Sequence, residues 1–277
     1  MAASTAVVSN DAAFSSFCRE IISDPEWEVV APYFETRSIR GRPTTWPIRM
    51  LYTAVVYAVT EGIRWRMLPP GFPPWETVYG WFRRRIVDGA FVEANAALVR
   101  HDRIMSGRAA EPTRAALDAQ SVRSSPTAGS RGVDGGKKVK GQKRSIAVDG
   151  GGRLLFATLC PANVHDGVAA LSLLRRLQGV WPDLRQVLAD SAYRGVRVAE
   201  AATPMKVEVT QKPDGARGFV VIAGRWVVER TFAWLCNCRR LVRCYERRDD
   251  VAVAFMFIAS IRLLSRRIAR RKTQADG

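Results

Sequence analysis

The sequence predicts an all-α domain over residues 1–110 followed by an α/β domain over residues 111–277, the second built on a mixed five-stranded sheet with helices. Three observations predict it. Apolar side chains recur at helical spacing through the first hundred residues. After residue 110 the pattern changes to short apolar runs bounded by glycine and charged loops. The charge divides unevenly as well: residues 1–110 carry 13 Lys+Arg against 11 Asp+Glu, and residues 111–277 carry 30 against 15.

The elements follow in order. Pro47 opens a helix from Ile48 to Val59 whose apolar residues occupy nearly every face, as in a buried helix. Arg64 to Pro74 is a proline-rich turn. Trp75 to Val87 forms a second helix, with Val78, Trp81, Phe82 and Ile86 inward and Arg83, Arg84 and Arg85 expected on the other side. Two helices around a short turn, the second basic, fit a helix-turn-helix, and the three arginines become candidate DNA contacts. Residues 106–114 read as a linker. Beyond it, Ala115–Asp118 is a short strand ending in a carboxylate, and a basic loop follows with Arg131, Lys137, Lys138, Lys140, Lys143 and Arg144. Ser145–Asp149 and Arg153–Leu159 flank three glycines, a hairpin signal. A helix from Asp166 to Leu177, strands at Gln186–Asp190 and Lys206–Thr210, and a long helix from Gly224 or Arg225 complete the chain.

Composition narrows the chemistry. With 47% apolar residues a core is easily supplied, so wholesale disorder is excluded. A net charge of +17 asks for a polyanion, and nucleic acid is the partner that such a footprint fits; Lys137, Lys138 and Lys140 are candidate phosphate contacts. Cys236 and Cys238 are two apart, so helical geometry would splay their thiols and only His101 and His165 are available to complete a metal site. Five cysteines and no basic n-region before an apolar core point to a reduced, cytoplasmic, nucleoid-associated protein. The apolar run from Val251 to Ile261 is too short to span a bilayer. Gly136-x4-Gly141 is followed by Gln142, not lysine, so it is no nucleotide-binding loop.

Three carboxylates stand out by position: Asp118 and Asp190 at the ends of apolar strands, and Glu229 in the first turns of a helix. Strand ends of an open sheet converge on one edge, where a neighbouring helix could add a third acid. Such acids repel one another unless hard cations neutralise them, which suits two Mg²⁺ or Mn²⁺ ions clamping an in-line phosphoryl transfer. Asp134, Asp149 and Asp166 compete for the same role, and Asp166 also reads as a helix cap. The order β–β–β–α–β–α–β–α is the ribonuclease-H-like layout, which sets its acids on the first strand, the fourth strand and the last helix.

The chain resembles insertion-sequence transposases of the IS5 family. The resemblance rests on Trp65-Arg66-Met67-Leu68-Pro69 and Trp75-Glu76-Thr77-Val78-Tyr79, on Leu117-Asp118, on Ala189-Asp190-Ser191-Ala192-Tyr193-Arg194-Gly195, and on Arg225-Trp226-Val227-Val228-Glu229-Arg230-Thr231-Phe232-Ala233-Trp234-Leu235. It implies that Asp118, Asp190 and Glu229 are a DDE triad performing DNA cleavage and strand transfer. It also implies that Tyr193 and Arg194 lie near the DNA, and that Arg225 matches an arginine of the glutamate signature. The tyrosine and lysine of that signature are replaced by Ile222 and Cys236. Arg240, with Arg239 beside it, falls about 20° from Glu229 around a continuous helix and is expected to reach the same phosphates; for Arg225 an i,i+4 pair with Glu229 is the alternative. The implied partners are the terminal inverted repeats, target DNA and a second copy of the chain. A nuclease without joining activity and a transposase-derived DNA-binding regulator are the rival readings.

Overall fold

A computed structural model describes residues 12–35, 45–210 and 225–275. Five helices come first: α1 (Ala12–Ile21), α2 (Asp24–Val30), α3 (Ile48–Glu61), α4 (Trp75–Val87) and α5 (Ala90–Ile104). Ser23 starts α2 through a capping box, its hydroxyl accepting from the Glu26 amide at 3.4 Å while Glu26 accepts from the Ser23 amide at 3.0 Å. Helix α3 is buried on nearly every side, as its sequence predicts.

The sheet comprises β1 (Arg114–Arg123), β2 (Gly132–Asp134), β3 (Val139–Val148), β4 (Leu154–Pro161), β5 (Gln186–Ala189) and β6 (Lys206–Val209). Its lateral order is β4-β3-β1-β5-β6, antiparallel across β4, β3 and β1 and parallel across β1, β5 and β6. The short β2 is a sixth strand that the sequence did not announce. It pairs with Val139–Gly141 on the edge of β3 that β4 takes over from Gln142 onward. Helix α6 (Asp166–Val180) and α7 (Val196–Ala202) lie between strands in sequence, and α8 (Trp226–Cys236) and α9 (Asp249–Ala275) close the chain. All five cysteines are free, and among the described residues no helix is long and apolar enough to cross a membrane.

Several expectations are corrected. Strand β1 continues five residues past Asp118, which therefore sits mid-strand, because the ladder to β3 pairs Ala119–Arg123 with Gly141–Ser145 whatever their side chains. The expected basic loop is largely a ribbon: Lys143 and Arg144 lie in β3 and are buried, Lys143 against Asp166 at 2.5 Å and Arg144 against the Leu241 carbonyl. His165, not Asp166, caps α6, its Nδ1 accepting from the Gly167 amide at 3.2 Å. Helix α8 ends at Cys236, where the sequence suggested one long helix.

One core runs through both the helices and the sheet. Helix α9 joins them, packing against α2, α3, α4 and α5 on one side and β4 on another. Phe255 of α9 stacks on Phe82 of α4 with centroids 5.4 Å apart, and Phe257 meets Phe156 of β4 edge-on at 5.6 Å.

A buried ion cluster accompanies this packing. Asp102 of α5 and Asp149 beyond β3 are both fully buried. Arg153 bridges them, its Nε 2.6 Å from Asp102 and its Nη1 3.1 Å from Asp149. Arg103 reaches Asp149 at 2.5 Å, and Arg271 of α9 pairs with Asp102. Burial pushes the Asp149 carboxyl up, but the Arg153 amide and guanidinium, the Gly151 amide and Arg103 outweigh it and hold the group below the usual carboxylate range. Removing one partner of such a pair strands the others without water. Arg153→Ala is therefore expected to cost about 3 kcal/mol or more in urea unfolding, whereas Arg194→Ala at an exposed site should stay within about 0.5 kcal/mol. A near-neutral Arg153→Ala would show that the cluster does not hold the two parts together.

Candidate active site

Asp118 and Asp190 are brought level by strand register. Strand β5 runs parallel to β1 with Ala116 opposite Leu188, so two residues further on lie Asp118 and Asp190. The Asp118 carboxylate accepts from the Ala119 amide at 2.7 Å. Asp190 caps the 3-10 turn Ser191–Tyr193, accepting from the Ala192 amide at 2.9 Å. Glu229 projects from the first turns of α8, which lies against β1 and β3, and its side chain is exposed.

The electrostatics tie the three acids together. Burial raises the Asp118 carboxyl to about 6, and the nearby charges of Asp190 and Glu229 push the same way. The Ala119 amide and Arg225 oppose them. Arg225 stands 3.7 Å from the Asp190 carboxylate, so the expected alternative of an i,i+4 pair with Glu229 is replaced by a contact across to the turn after β5. The competing acids are engaged elsewhere: Asp134 accepts from Ser121 and the Lys137 amide, Asp149 belongs to the ion cluster, and Asp166 pairs with Lys143.

Tyr193 is corrected from a DNA contact to an interior residue. The 3-10 turn folds its ring inward to 1% exposure, and its hydroxyl finds no hydrogen-bond partner among the described residues. Burial, with Asp118, Asp166 and Asp190 nearby, pushes the phenol upward. Arg194, one residue on, is exposed.

Of the remaining candidates Lys137 comes next to the acids, its Nζ donating to the carbonyl of Ala119, one residue after Asp118, at 3.3 Å. Lys137, Lys138 and Lys140 are exposed on the β2–β3 ribbon. Arg239 pairs with Glu61 at 2.9 Å, and Arg240 with Glu246 at 2.7 Å and with the Ile63 carbonyl. Because α8 has already ended, neither arginine shares the face of Glu229. In α4, Arg85 is only 1% exposed and bonds Asp88 at 2.7 Å. It lies four residues after Trp81 and three after Phe82, hence on their buried face. Arg83 pairs with Asp250 at 3.1 Å, and Arg84 is the exposed member of the three. Position Ile222 lies outside the described residues.

The donor set is anionic, all oxygen and partly desolvated, which fits hard divalent cations in kind. The spacing is looser: among the described residues no three His, Cys, Asp or Glu side chains gather closely enough to hold an ion.

Residues 109–264 match a family model described as "Transposase DDE domain", and residues 22–95 match one described as "Putative transposase of IS4/5 family". Over 124 residues the chain is 38% identical to a Burkholderia cepacia protein named "Putative transposase for insertion sequence element IS402". That alignment covers 42% of this chain and 59% of the relative. No solved structure matches.

A buried acid beside two others makes its ionised form costly to the fold. At neutral pH, Asp118→Asn should therefore raise the thermal midpoint of protein kept in chelator, as expected where a site trades stability for chemistry. A lowered midpoint in calorimetry would mean that the Asp118 carboxylate supports the fold.

Proposed function

The chain belongs to the IS4/IS5 family of DDE transposases, and from that premise we propose that it cuts the ends of an insertion sequence and joins them to target DNA. The observation that carries the proposal is the register of β1 and β5, which levels Asp118 with Asp190 while α8 lays Glu229 beside β1. The lateral order β4-β3-β1-β5-β6, with two antiparallel and two parallel pairings, supports a ribonuclease-H-like reading of this half.

In this reading Asp118, Asp190 and Glu229 hold two Mg²⁺ or Mn²⁺ ions. When bound, such ions activate a water or 3′-hydroxyl and stabilise the leaving oxygen of an in-line displacement. The protein's own part is positional. The Ala119 and Ala192 amides orient the two aspartates. Arg225, beside Asp190, offsets part of the acids' mutual repulsion and presents a donor for a phosphate oxygen. Exposed Lys137, Lys138 and Lys140 attract the backbone of any duplex, which adds affinity without sequence. Helices α3 and α4 around the proline-rich turn serve as the end-reading helix-turn-helix, with Arg84 as its exposed arginine. Joining two ends to one target calls for two copies on the DNA.

Asp118→Asn, Asp190→Asn and Glu229→Gln are each expected to abolish cleavage of a labelled end while leaving binding nearly unchanged. Cleavage near the normal rate in any one variant removes that residue from the triad. Mg²⁺ or Mn²⁺ should support cleavage, and Ca²⁺ poorly, because it prefers looser coordination; full activity in chelator overturns the metal assignment. Mg²⁺ should also raise the melting temperature of the unaltered chain but not of Asp118→Asn, a readout independent of turnover. Replacing Lys137, Lys138 and Lys140 by alanine should weaken random and end-bearing duplexes alike.

A further inference from the structure

Two loops far apart in sequence form one surface beyond the outer end of β1. Residues 124–131 follow β1, and residues 242–248 lead into α9. The Cys244 amide donates to the Arg123 carbonyl at 2.9 Å, the Ser125 amide to the Cys244 carbonyl at 2.7 Å, and the Gly129 amide to the Glu246 carbonyl at 2.9 Å. The approach is close enough to require glycine, since a Cβ on Gly129 would fall 2.6 Å from the Arg247 carbonyl oxygen. The surface is therefore held in shape largely by backbone.

Those side chains are cationic. Arg123, Arg131, Arg243 and Arg247 are all exposed, and Tyr245 is 48% exposed with the Arg243 guanidinium 5.8 Å from its ring centre. Arg123 and Arg247 have no acidic partner among the described residues. Arg131 and Arg243 bond only main-chain carbonyls, those of Ser125 and Ser124. Of the acids of the same stretch, Glu246 pairs with Arg240 and Asp250 with Arg83 and Arg248, while Asp249 is bonded to the neutral Ser130 and Gln142 and keeps its charge. Four guanidiniums thus outnumber the one unneutralised carboxylate, Asp249, on a preformed surface beside a phenol. Their planar donor forks match phosphate oxygens, and the phenol can donate to a phosphate or a sugar.

We propose that this pair of loops is a docking surface for the backbone of duplex DNA, continuous with the lysine ribbon, whose Lys140 carbonyl accepts from the Ser124 amide at 3.4 Å, and set apart from the acids. Its place on β1 gives a distance. Arg123 is five residues from Asp118, about 17 Å at strand rise, or about five base pairs at 3.4 Å each. The surface would grip the duplex about half a helical turn from the phosphate being cut. That fixes the angle at which the duplex leaves the acids. The inference rests on the transposase reading, and the test separates the two.

The test is binding of the full chain to a random duplex of about 40 base pairs, by fluorescence anisotropy at several salt concentrations. Arg123→Ala with Arg247→Ala alters two side chains that hold nothing in the loops, so folding is not at stake. That pair should lower the slope of log affinity against log salt by about 2, at 0.9 per lost phosphate contact. Adding Arg243→Ala should bring the loss to about 3, with affinity at about 0.1 M salt falling at least tenfold. Lysines at the three positions should restore most of the slope. A control with Arg175→Ala, Arg176→Ala and Arg185→Ala, exposed arginines elsewhere on the surface, should leave it unchanged. An unchanged slope in the double variant, or an equal loss in the control, overturns the docking surface alone. An unaltered chain that binds no DNA overturns the transposase reading with it.

Discussion

Asp102 and Asp149 lie where water cannot reach them, and arginines from three parts of the chain hold them there. The consequence travels outward through Arg153, which is both a partner of the two acids and part of the turn between β3 and β4. That turn carries Gly152 at φ +77°, and a Cβ there would come within 3.0 Å of Trp234 and Thr231 of α8. Helix α8 docks on it, Thr231 donating to the Gly152 carbonyl at 3.0 Å and Arg230 to that of Gly151 at 3.3 Å. Arg230 is itself stacked on Trp226 and Trp234, at 4.3 and 4.5 Å. Glu229 sits one residue before Arg230. The turn that carries Arg153 thus adds to the direct packing of α8 on β1 and β3, through Val227, Val228 and Phe232, that positions Glu229. A buried charge network is a weak source of net stability, but it tolerates few alternative geometries, and placement is what α8 needs.

The acids illustrate the opposite condition. Asp102 and Asp149 are charged, buried and matched by arginines. Asp118 is buried and under-compensated, with one amide, Arg225 and two like-charged neighbours. Among the described residues the Tyr193 hydroxyl in the same region has no hydrogen-bond partner. Folded proteins normally satisfy such groups. The fold thus holds one set of buried acids matched by arginines and, around Asp118, another left short of positive charge.

Much of this was legible in the residues. Proline marked the start of α3 and three glycines the β3–β4 turn, and apolar residues at helical spacing fixed α4, because these signals act over a few neighbouring positions. Asp118 and Asp190 were legible for the same reason, each closing an apolar run. What escaped depended on pairing at long range. Nothing local to Gln120–Arg123 says that they extend a strand; the partner residues of β3 do. The sequence of α8 reads as helix through to Arg240 because Asn237 and Cys238 do not forbid one, whereas in the fold Arg240 bonds the Ile63 carbonyl just past α3 and Glu246. The five arginines between residues 239 and 248 were a visible density, yet only the folded chain sets them beside Arg123.

Arginine explains why charge alone misleads in this chain. Its aliphatic stem and forked head can be buried wherever acids or carbonyls are waiting. Arg85, Arg103, Arg144 and Arg153 are all buried, and none of them can meet a polyanion. Three consecutive arginines in α4 thus separate into one buried, one paired to Asp250 and one exposed. A run of charge in sequence records helix periodicity as much as surface potential. The potential that DNA would meet comes from exposed residues without acids of their own, and those on the β2–β3 ribbon and on the loops beyond β1 are among them.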